Sequence, residues 1–378
     1  MAEPAGSFPA GRGMIRTAMG IVGQNLRTAV GQRALPTILT WTVNFRCNAR
    51  CGMCDSWKKT GEGELDTQQM LSIVEKLPKS ITAARLTGGE PFLRNDLERI
   101  ALALDRHLDL DLIHITTNGF LTGRITGFLS EYGRKLSAPV QILVSLDGLE
   151  DLHNEIRGQP FAFRTALDTI GQIAAHRNEW GVKIAVNQTV VDERGIRQYD
   201  ALHELLGELN VPHHVVVAYA ESATYSTEAS QDLSPVSSGT FRTANPIDPD
   251  LFRSFMDKVE ADTRELPWSN GVAKAYYLKG IRNRVLHGRG VPNPSCAALG
   301  GHMRIFPNGD VPTCQFNSKV VGNLHTTDFD TCWNSAQALA GRAWVEKCPG
   351  CWAECEVLPS AILGGDFLMH RFRKEISA

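Results

Sequence analysis

The chain has 378 residues, 43% of them hydrophobic and 21% charged, and a formal net charge of −2 at pH 7. This length suits two or three domains, and the near-neutral charge predicts no nucleic-acid partner. No apolar run reaches the roughly 20 residues of a membrane span, and Arg12, Arg16 and Arg27 interrupt any secretory signal. We therefore expect a cytoplasmic protein, where the nine cysteines are metal ligands or reactive thiols rather than disulfides.

The N-terminal segment, residues 1–37, is predicted to be a disordered tail followed by an amphipathic helix. Its apolar side chains form one helical stripe: Ile15, Met19, Val22, Leu26 and Val30. No acidic residue occurs between Glu3 and Asp55. Two interpretations stay open, because such a helix either packs on the next domain or makes a peripheral contact with a membrane surface.

From residue 38 the sequence alternates short β-branched runs with longer amphipathic stretches. Six runs are predicted strands: ILTWTVNF, AARLTGG, LIHITTNG, VQILVSLDG, VKIAVNQTVV and HHVVVAYA. Intervening stretches such as DTQQMLSIVEKL carry apolar residues at helical spacing. This order predicts an α/β fold, a partial (β/α)6 TIM-like barrel over residues 38–220. The C-terminal ends of the strands, where such barrels carry their functional residues, read FRCNARC, TGGEP, TTNG and SLDG.

The segment after the sixth strand is predicted to link two domains over residues 221–290. Its first part, 221–246, is rich in Ser and Thr and is expected to be a loop or lid, and helices are predicted over 248–266 and 271–288. Six cysteines follow residue 290. They predict a small Cys-rich α+β domain over 291–357, with a C-terminal helix over 358–378.

Three cysteines, Cys47, Cys51 and Cys54, follow the first predicted strand in a C-x3-C-x2-C pattern. Three thiolates bind either zinc or an iron–sulfur cluster, and spacing alone does not separate the two. A structural zinc site needs a fourth ligand, and none is obvious nearby. A catalytic zinc site with three protein ligands and a bound water stays open as an interpretation.

The strings CNARCGMC, TGGEP, TTNG, SLDG and IRG, at or just beyond predicted strand ends, together resemble the radical S-adenosylmethionine (SAM) enzymes. The resemblance implies a [4Fe–4S] cluster held by Cys47, Cys51 and Cys54, whose fourth iron takes the amino and carboxylate groups of SAM. It also implies reductive cleavage of SAM to a 5′-deoxyadenosyl radical that abstracts hydrogen from a substrate C–H bond, with a flavodoxin- or ferredoxin-type electron donor. Met53 departs from the family, which usually has an aromatic residue there.

The resemblance further implies contacts with SAM. Eight residues match such positions: Gly88, Gly89, Glu90, Asn118, Ser145, Asp147, Arg157 and Asn187. The Gly-Gly-Glu motif corresponds to the part that holds the SAM amino group, since glycines permit close approach and a carboxylate accepts from an ammonium. Ser145 and Asp147 correspond to ribose-binding positions, and Arg157 to a partner of the SAM carboxylate. Each has a structural alternative, because SLDG and TTNG are also ordinary strand-to-turn sequences.

The C-terminal cysteines resemble the auxiliary-cluster extension called twitch, a truncated relative of the SPASM domain. The resemblance implies a second [4Fe–4S] cluster with four thiolate ligands: Cys296, Cys314, Cys348 and Cys351. Cys355 is an alternative for one of the last pair, and Cys332 is interpreted as a buried thiol. The alternative that the same cysteines bind structural zinc stays open.

Four protein ligands leave no open iron, so the second cluster is expected to take one electron from the substrate radical. This predicts an oxidoreductase that acts on a small natural-product or sugar-like substrate by dehydrogenation or bond formation. If Cys355 is a spare thiol that returns a hydrogen atom, the enzyme is an epimerase. Ribosomal peptide maturation, disfavoured by the short segment before residue 38, and lipid modification stay open. A non-enzymatic protein with two structural metal sites would leave TGGEP and SLDG unexplained.

Overall fold

The computed structural model describes residues 33–219, 243–264 and 268–366. Most of the predicted N-terminal helix, most of the predicted 221–246 loop and the end of the predicted C-terminal helix lie outside these ranges. Within them, no helix combines the length and apolarity that crossing a membrane requires.

The main sheet has seven parallel strands in the order β6-β5-β4-β3-β2-β1-β7. Its strands are β1 Ile38–Thr42, β2 Ala83–Thr87, β3 Leu112–Thr117, β4 Val140–Ser145, β5 Val182–Val190, β6 His213–Val217 and β7 His302–Ile305. The first six confirm the predicted α/β order. β7 is absent from the predicted strands, because it is only four residues long and two of them, His302 and Arg304, are polar.

Nine helices of the described residues accompany the first six strands and the following linker. They are α1 Thr67–Lys76, α2 Leu97–His107, α3 Thr122–Tyr132, α4 Glu150–Arg157, α5 Ala162–Trp180, α6 Glu193–Arg197, α7 Tyr199–Glu208, α8 Pro249–Thr263 and α9 Trp268–His287. α1 begins at a capping box, in which Asp66 accepts from Gln69 N and the Gln69 side chain accepts from Asp66 N, both at 2.9 Å. The last two helices match the helices predicted in the linker.

The two faces of the sheet differ in burial. On β4, Val140, Ile142 and Val144 are fully buried in the core shared with the helices, whereas the alternating residues, among them Leu143 and Ser145, are only half-buried. β2 shows the same alternation. A closed TIM barrel fills its interior with side chains, but this sheet ends at β6 and β7. Its second side, called the inner face from here on, carries half-buried side chains on β2 and β4.

Up to residue 366, where the described residues end, the C-terminal part adds a small sheet and three helices. Its elements are β8 Asp310–Pro312, β9 Val320–Asn323, α10 Phe329–Trp333, α11 Ala336–Lys347 and α12 Glu354–Leu363. β8 and β9 pair antiparallel, while β7 pairs with β1, with Ile38 opposite His302. The C-terminal part is thus joined to the main sheet through β7. The predicted domain limits stay predictions, and α12 crosses the one at 357.

Candidate functional site

The cysteine loop, residues 47–54, is held by the C-terminal end of α4. Arg50 N donates to Arg157 O at 2.8 Å and Gly52 N donates to Ile156 O at 3.2 Å. The last carbonyls of a helix lack partners within it, so the loop supplies donors that the helix end needs. Gly158 ends α4 with φ +62°, and a Cβ there would lie 2.5 Å from Arg50 O. The IRG motif therefore acts as the docking point of the cysteine loop.

Backbone N–H groups within the loop and just after it point at two of the loop's sulfurs. Ala49 N lies 3.4 Å from Cys47 Sγ, and Ser56 N lies 3.4 Å from Cys54 Sγ. Burial raises the pKa of Cys47 to about 12 and that of Cys54 to about 11, because buried surroundings penalise a thiolate. Iron bound to these thiols would supply the positive charge that deprotonates them.

Two side chains from other elements also reach the cysteine sulfurs. Asn118, just after β3, donates from Nδ2 to Asn48 Oδ1 at 2.7 Å, and the same nitrogen lies 3.8 Å from Cys47 Sγ. Arg157 places Nη1 3.7 Å from Cys51 Sγ. Hydrogen bonds to the sulfurs are among the features that set the properties of iron–sulfur clusters. The loop, its cysteines and these donors thus fit a cluster at the C-terminal edge of the sheet.

No three His, Cys, Asp or Glu side chains of the described residues converge as they would on a single metal ion. The ligands of a four-iron cluster bind different irons and need not converge on one point.

The Gly-Gly-Glu motif packs directly against the chain that leads into the cysteine loop. Gly89 N donates to Asn44 O at 2.9 Å and Glu90 N donates to Arg46 O at 2.8 Å. A Cβ at Gly88 would overlap Asn44 Oδ1, and one at Gly89 would overlap Arg46 O. The glycines are thus required by contacts within the protein, and the predicted close approach of SAM to them stays a prediction.

The Glu90 carboxylate is completely buried and joins the ends of β2 and β3. Its Oε1 accepts from Phe92 N at 3.1 Å and from the Thr117 hydroxyl at 2.8 Å, and its Oε2 accepts from Asn118 N at 2.8 Å. Burial raises the pKa of Glu90 to about 7, although these three donors oppose the rise. A contact of Glu90 with the SAM amino group stays a prediction.

Asp147 and Arg157 form a buried ion pair beside the cysteine loop. Arg157 Nε donates to Asp147 Oδ2 at 2.6 Å, and Thr189 N donates to Oδ1 at 3.0 Å. Asp147 N donates to His153 Nδ1 at 2.9 Å, so this histidine carries its proton on Nε2, and burial lowers its pKa to about 4. Asp147 is 0% exposed. Its contacts position Arg157 and do not favour the predicted role in binding ribose, which stays a prediction.

Ser145 and Asn187 are register neighbours on β4 and β5, and Asn187 is paired in turn with His214 on β6. Neighbouring residues in a parallel sheet share a face. All three are half-buried on the inner face. The structure therefore brings the two predicted SAM contacts together and adds His214, for which the pattern HHVVV carries no sign of a functional role.

The four cysteines predicted to hold the second cluster lie close together. Cys296 and Cys314 pack in one small apolar cluster. Burial raises the pKa of Cys296 to about 12, and the charges of Glu356 and Cys348 add to the rise. Burial also raises the pKa of Cys351, with contributions from Glu356, Cys296 and Cys314. Each of the four thiols is thus within electrostatic reach of another.

The remaining two C-terminal cysteines have other surroundings. Cys355 donates its S–H to Gln315 Oε1 and accepts from Arg304 Nη2 at 3.3 Å. Cys332 is 3% exposed within the main hydrophobic core, which confirms its interpretation as a buried thiol. These contacts favour the preferred set of four ligands over the set that includes Cys355.

A buried polar network connects α12 to the main sheet. Arg304 Nε donates to Glu356 Oε1 at 2.7 Å, and His302 Nδ1 lies 3.0 Å from Glu356 Oε2. His302 Nε2 lies 2.8 Å from the Thr40 hydroxyl on β1. Burial opposes ionisation of Glu356, but Arg304 and His302 hold its pKa well below the usual range. The sequence carries no signal for this network. His302 and Arg304 are close in sequence, but both are more than 50 residues from Glu356.

Comparison with known families agrees with this geometry. Residues 41–205 match the model of the radical SAM superfamily, and residues 296–352 match that of the SPASM iron–sulfur cluster-binding domain. The chain therefore carries a radical SAM domain and a C-terminal SPASM/twitch iron–sulfur cluster-binding domain. Its cofactors are accordingly a [4Fe–4S] cluster, SAM and an auxiliary iron–sulfur cluster.

Curated relatives match about half of the chain. Fe-coproporphyrin III synthase of Methanosarcina barkeri is 30% identical over 189 residues, which are 48% of this chain and 44% of that protein. GTP 3′,8-cyclase of Aliarcobacter butzleri is 30% identical over 171 residues, 43% of this chain and 49% of that protein. This chain thus spans about half the length of the curated relatives it matches.

Solved structures share the fold over most of the chain. SuiB of Streptococcus suis bound to S-adenosylmethionine covers 84% of this chain and 70% of its own, with a TM-score of 0.57 and 17% identity. At such low identity, the likeness shows the fold alone.

Proposed function

We propose that this radical SAM enzyme oxidises a small natural-product or sugar-like substrate in a chamber on the inner face of the sheet. A reduced [4Fe–4S] cluster with SAM would, when bound, supply the radical chemistry that removes a hydrogen atom from a C–H bond. One observation carries the proposal: Asn118 and Arg157 direct donors at Cys47 and Cys51 at the C-terminal edge of the sheet. The reacting carbon would therefore lie just below this edge.

The cysteine loop would hold the first cluster through Cys47, Cys51 and Cys54. Arg157 is fixed by Asp147 and would place a cation beside the SAM carboxylate. Ser145 and Asn187 lie in one row on the inner face and would accept or donate hydrogen bonds at the ribose. The chain's own contribution is thus to orient SAM and to exclude water from the reacting atoms.

The second cluster would be held by Cys296, Cys314, Cys348 and Cys351. Four thiolates complete the ligation of a cubane cluster, which supports electron transfer rather than substrate binding. After loss of a hydrogen atom, the substrate would give up one electron to this centre and one proton to the chamber. This pair of steps is a net two-electron oxidation.

Iron analysis with SAM cleavage tests the proposal. Wild-type protein, reconstituted anaerobically, is expected to hold about eight irons per chain and to form 5′-deoxyadenosine with dithionite, since each cubane has about four. The triple change of Cys47, Cys51 and Cys54 to Ala should leave about four irons and no 5′-deoxyadenosine. Cys332→Ala is the matched control and should behave as wild type. Loss of all iron in the triple variant would contradict an independent second cluster.

A radical epimerase is the second candidate, and the contacts of Cys355 favour it. Its thiol lies among Gln315 and Arg304 rather than the other four, so it is available as a hydrogen donor. Turnover in D2O would then place deuterium on the substrate carbon, and Cys355→Ala would abolish this incorporation. Oxidation predicts no such deuterium. A peptide substrate, like the Cp18Cys peptide in a solved structure of similar fold, anSMEcpe (TM-score 0.52, 16% identity, 80% of this chain and 81% of that one), remains a further alternative.

A further inference from the structure

Arg85 occupies the middle of the inner face. It lies on β2 in register with Thr40 on β1 and with His114 on β3. Its neighbours along the strand, Ala84 and Leu86, are fully buried on the helix side, whereas Arg85 is half-buried. Its side chain therefore lies on the inner face.

The guanidinium of Arg85 has few direct contacts within the described part of the chain, although the charge of Glu354 lies within electrostatic reach of it. Its one hydrogen bond there runs from Nη1 to the backbone carbonyl of Cys355 at 3.3 Å, and no carboxylate of the described residues forms an ion pair with it. The other cations nearby are paired. Arg304 binds Glu356 at 2.7 Å, and Lys274 binds Glu354 at 3.1 Å.

His114 offers a second polar group beside Arg85. Its Nδ1 is buried and has no hydrogen-bond partner among the described residues. Burial lowers the pKa of His114 to about 3, and the charge of Arg85 adds to this effect. A neutral imidazole with an unpartnered nitrogen costs free energy unless a ligand supplies the missing hydrogen bond.

We propose that Arg85 binds an anionic group of the substrate, a carboxylate or a phosphate, with His114 as a neighbouring hydrogen-bond partner. The planar guanidinium fork matches both groups, and its charge-assisted hydrogen bonds are strong. The inference rests on the proposed function, because that function places the substrate in this chamber. Bound there, the anion would fix the substrate below the C-terminal edge, where the cysteine loop lies.

Anaerobic calorimetry on the full, reconstituted chain tests the inference. Sodium phosphate and sodium succinate are titrated separately at constant ionic strength, so that the two arms distinguish phosphate from carboxylate. We expect one saturable site for at least one anion and at least tenfold weaker binding in Arg85→Met. Arg99→Met, an exposed arginine on α2, is the control and should stay within twofold of wild type.

Three outcomes would overturn the inference: no saturable binding of either anion, equal affinity in Arg85→Met, or the same loss in Arg99→Met. If Arg85→Met loses its iron or no longer gives the circular dichroism spectrum of the folded protein, anion binding is measured in His114→Leu instead. At least threefold weaker binding is then expected, and unchanged binding overturns the inference.

Formation of 5′-deoxyadenosine by wild type is measured in the same preparation. Anion binding without 5′-deoxyadenosine would contradict the proposed function alone, whereas 5′-deoxyadenosine without anion binding would contradict this inference alone.

Discussion

Arg157 connects Asp147 to Cys51: its Nε lies 2.6 Å from Asp147 Oδ2 and its Nη1 lies 3.7 Å from Cys51 Sγ. The buried carboxylate thereby fixes a cation at the sulfur of a predicted cluster ligand. Since buried charges are stable only when paired, neither residue can be removed without consequence for the other.

Asp147→Asn should therefore lower both stability and affinity for SAM. Leaving Arg157 unpaired is expected to cost about 3 kcal/mol in the free energy of unfolding, measured by urea denaturation. We expect the Kd for SAM, measured by anaerobic equilibrium dialysis, to rise at least tenfold. Asp151→Asn, an exposed acid on α4, is the control. Unchanged SAM affinity in Asp147→Asn would show that the position of Arg157 does not matter for SAM.

Gly158→Ala should disturb the docking of the cysteine loop. The new Cβ would meet Arg50 O in a backbone conformation with φ +62°, which costs about 1 to 2 kcal/mol for a residue with a side chain. Iron content after reconstitution is expected to fall toward that of the second cluster alone. Gly123→Ala on α3, where nothing lies within 4 Å of a new Cβ, should keep its full iron content. Equal iron in both variants would rule out this role of Gly158.

Stability should depend on pH through His153. Burial lowers the pKa of His153 from 6.5 to about 4, so below pH 6.5 the unfolded chain binds a proton that the folded chain does not. The contribution of this histidine is complete above pH 6.5 and is lost as pH falls toward 4. His153→Gln, which keeps an acceptor for Asp147 N, should show a weaker decrease in unfolding free energy between pH 7 and 5. The same change at exposed His176 is the control, and identical slopes in His153→Gln and wild type would refute the prediction.

Single cysteine changes should separate the two sets of auxiliary ligands. Cys348→Ala is expected to lose about four irons per chain, as one cubane requires, while Cys355→Ala should retain them. The physical reason is that Cys348 lies near Cys296, whereas Cys355 is bound to Gln315 and Arg304. Iron and acid-labile sulfide are measured after anaerobic reconstitution. The reverse pattern would make Cys355 the ligand.

The local sequence pattern was sufficient to predict the first six strands, because β-branched runs alternate with amphipathic helices in the order that parallel sheets require. The candidate cysteines were likewise evident, since a triad and a later group of six stand out in the sequence. β7 was missed because four residues with two polar side chains give no strand signal. Its identity depends on pairing with β1, which is more than 250 residues away.

By itself, the sequence determined the order of the elements and predicted which residues bind iron and SAM, because both depend on short-range pattern and on side-chain chemistry. Only the tertiary structure decided which groups meet. It joined Asp147 to Arg157, turned Gly88 and Gly89 against residues 44–46, and bound Cys355 to Gln315 and Arg304. It also placed Arg85 on the inner face beside His114, with one hydrogen bond to Cys355 O among the described residues. These relationships come from long-range packing, in which burial and ion pairing select partners that spacing along the chain does not reveal.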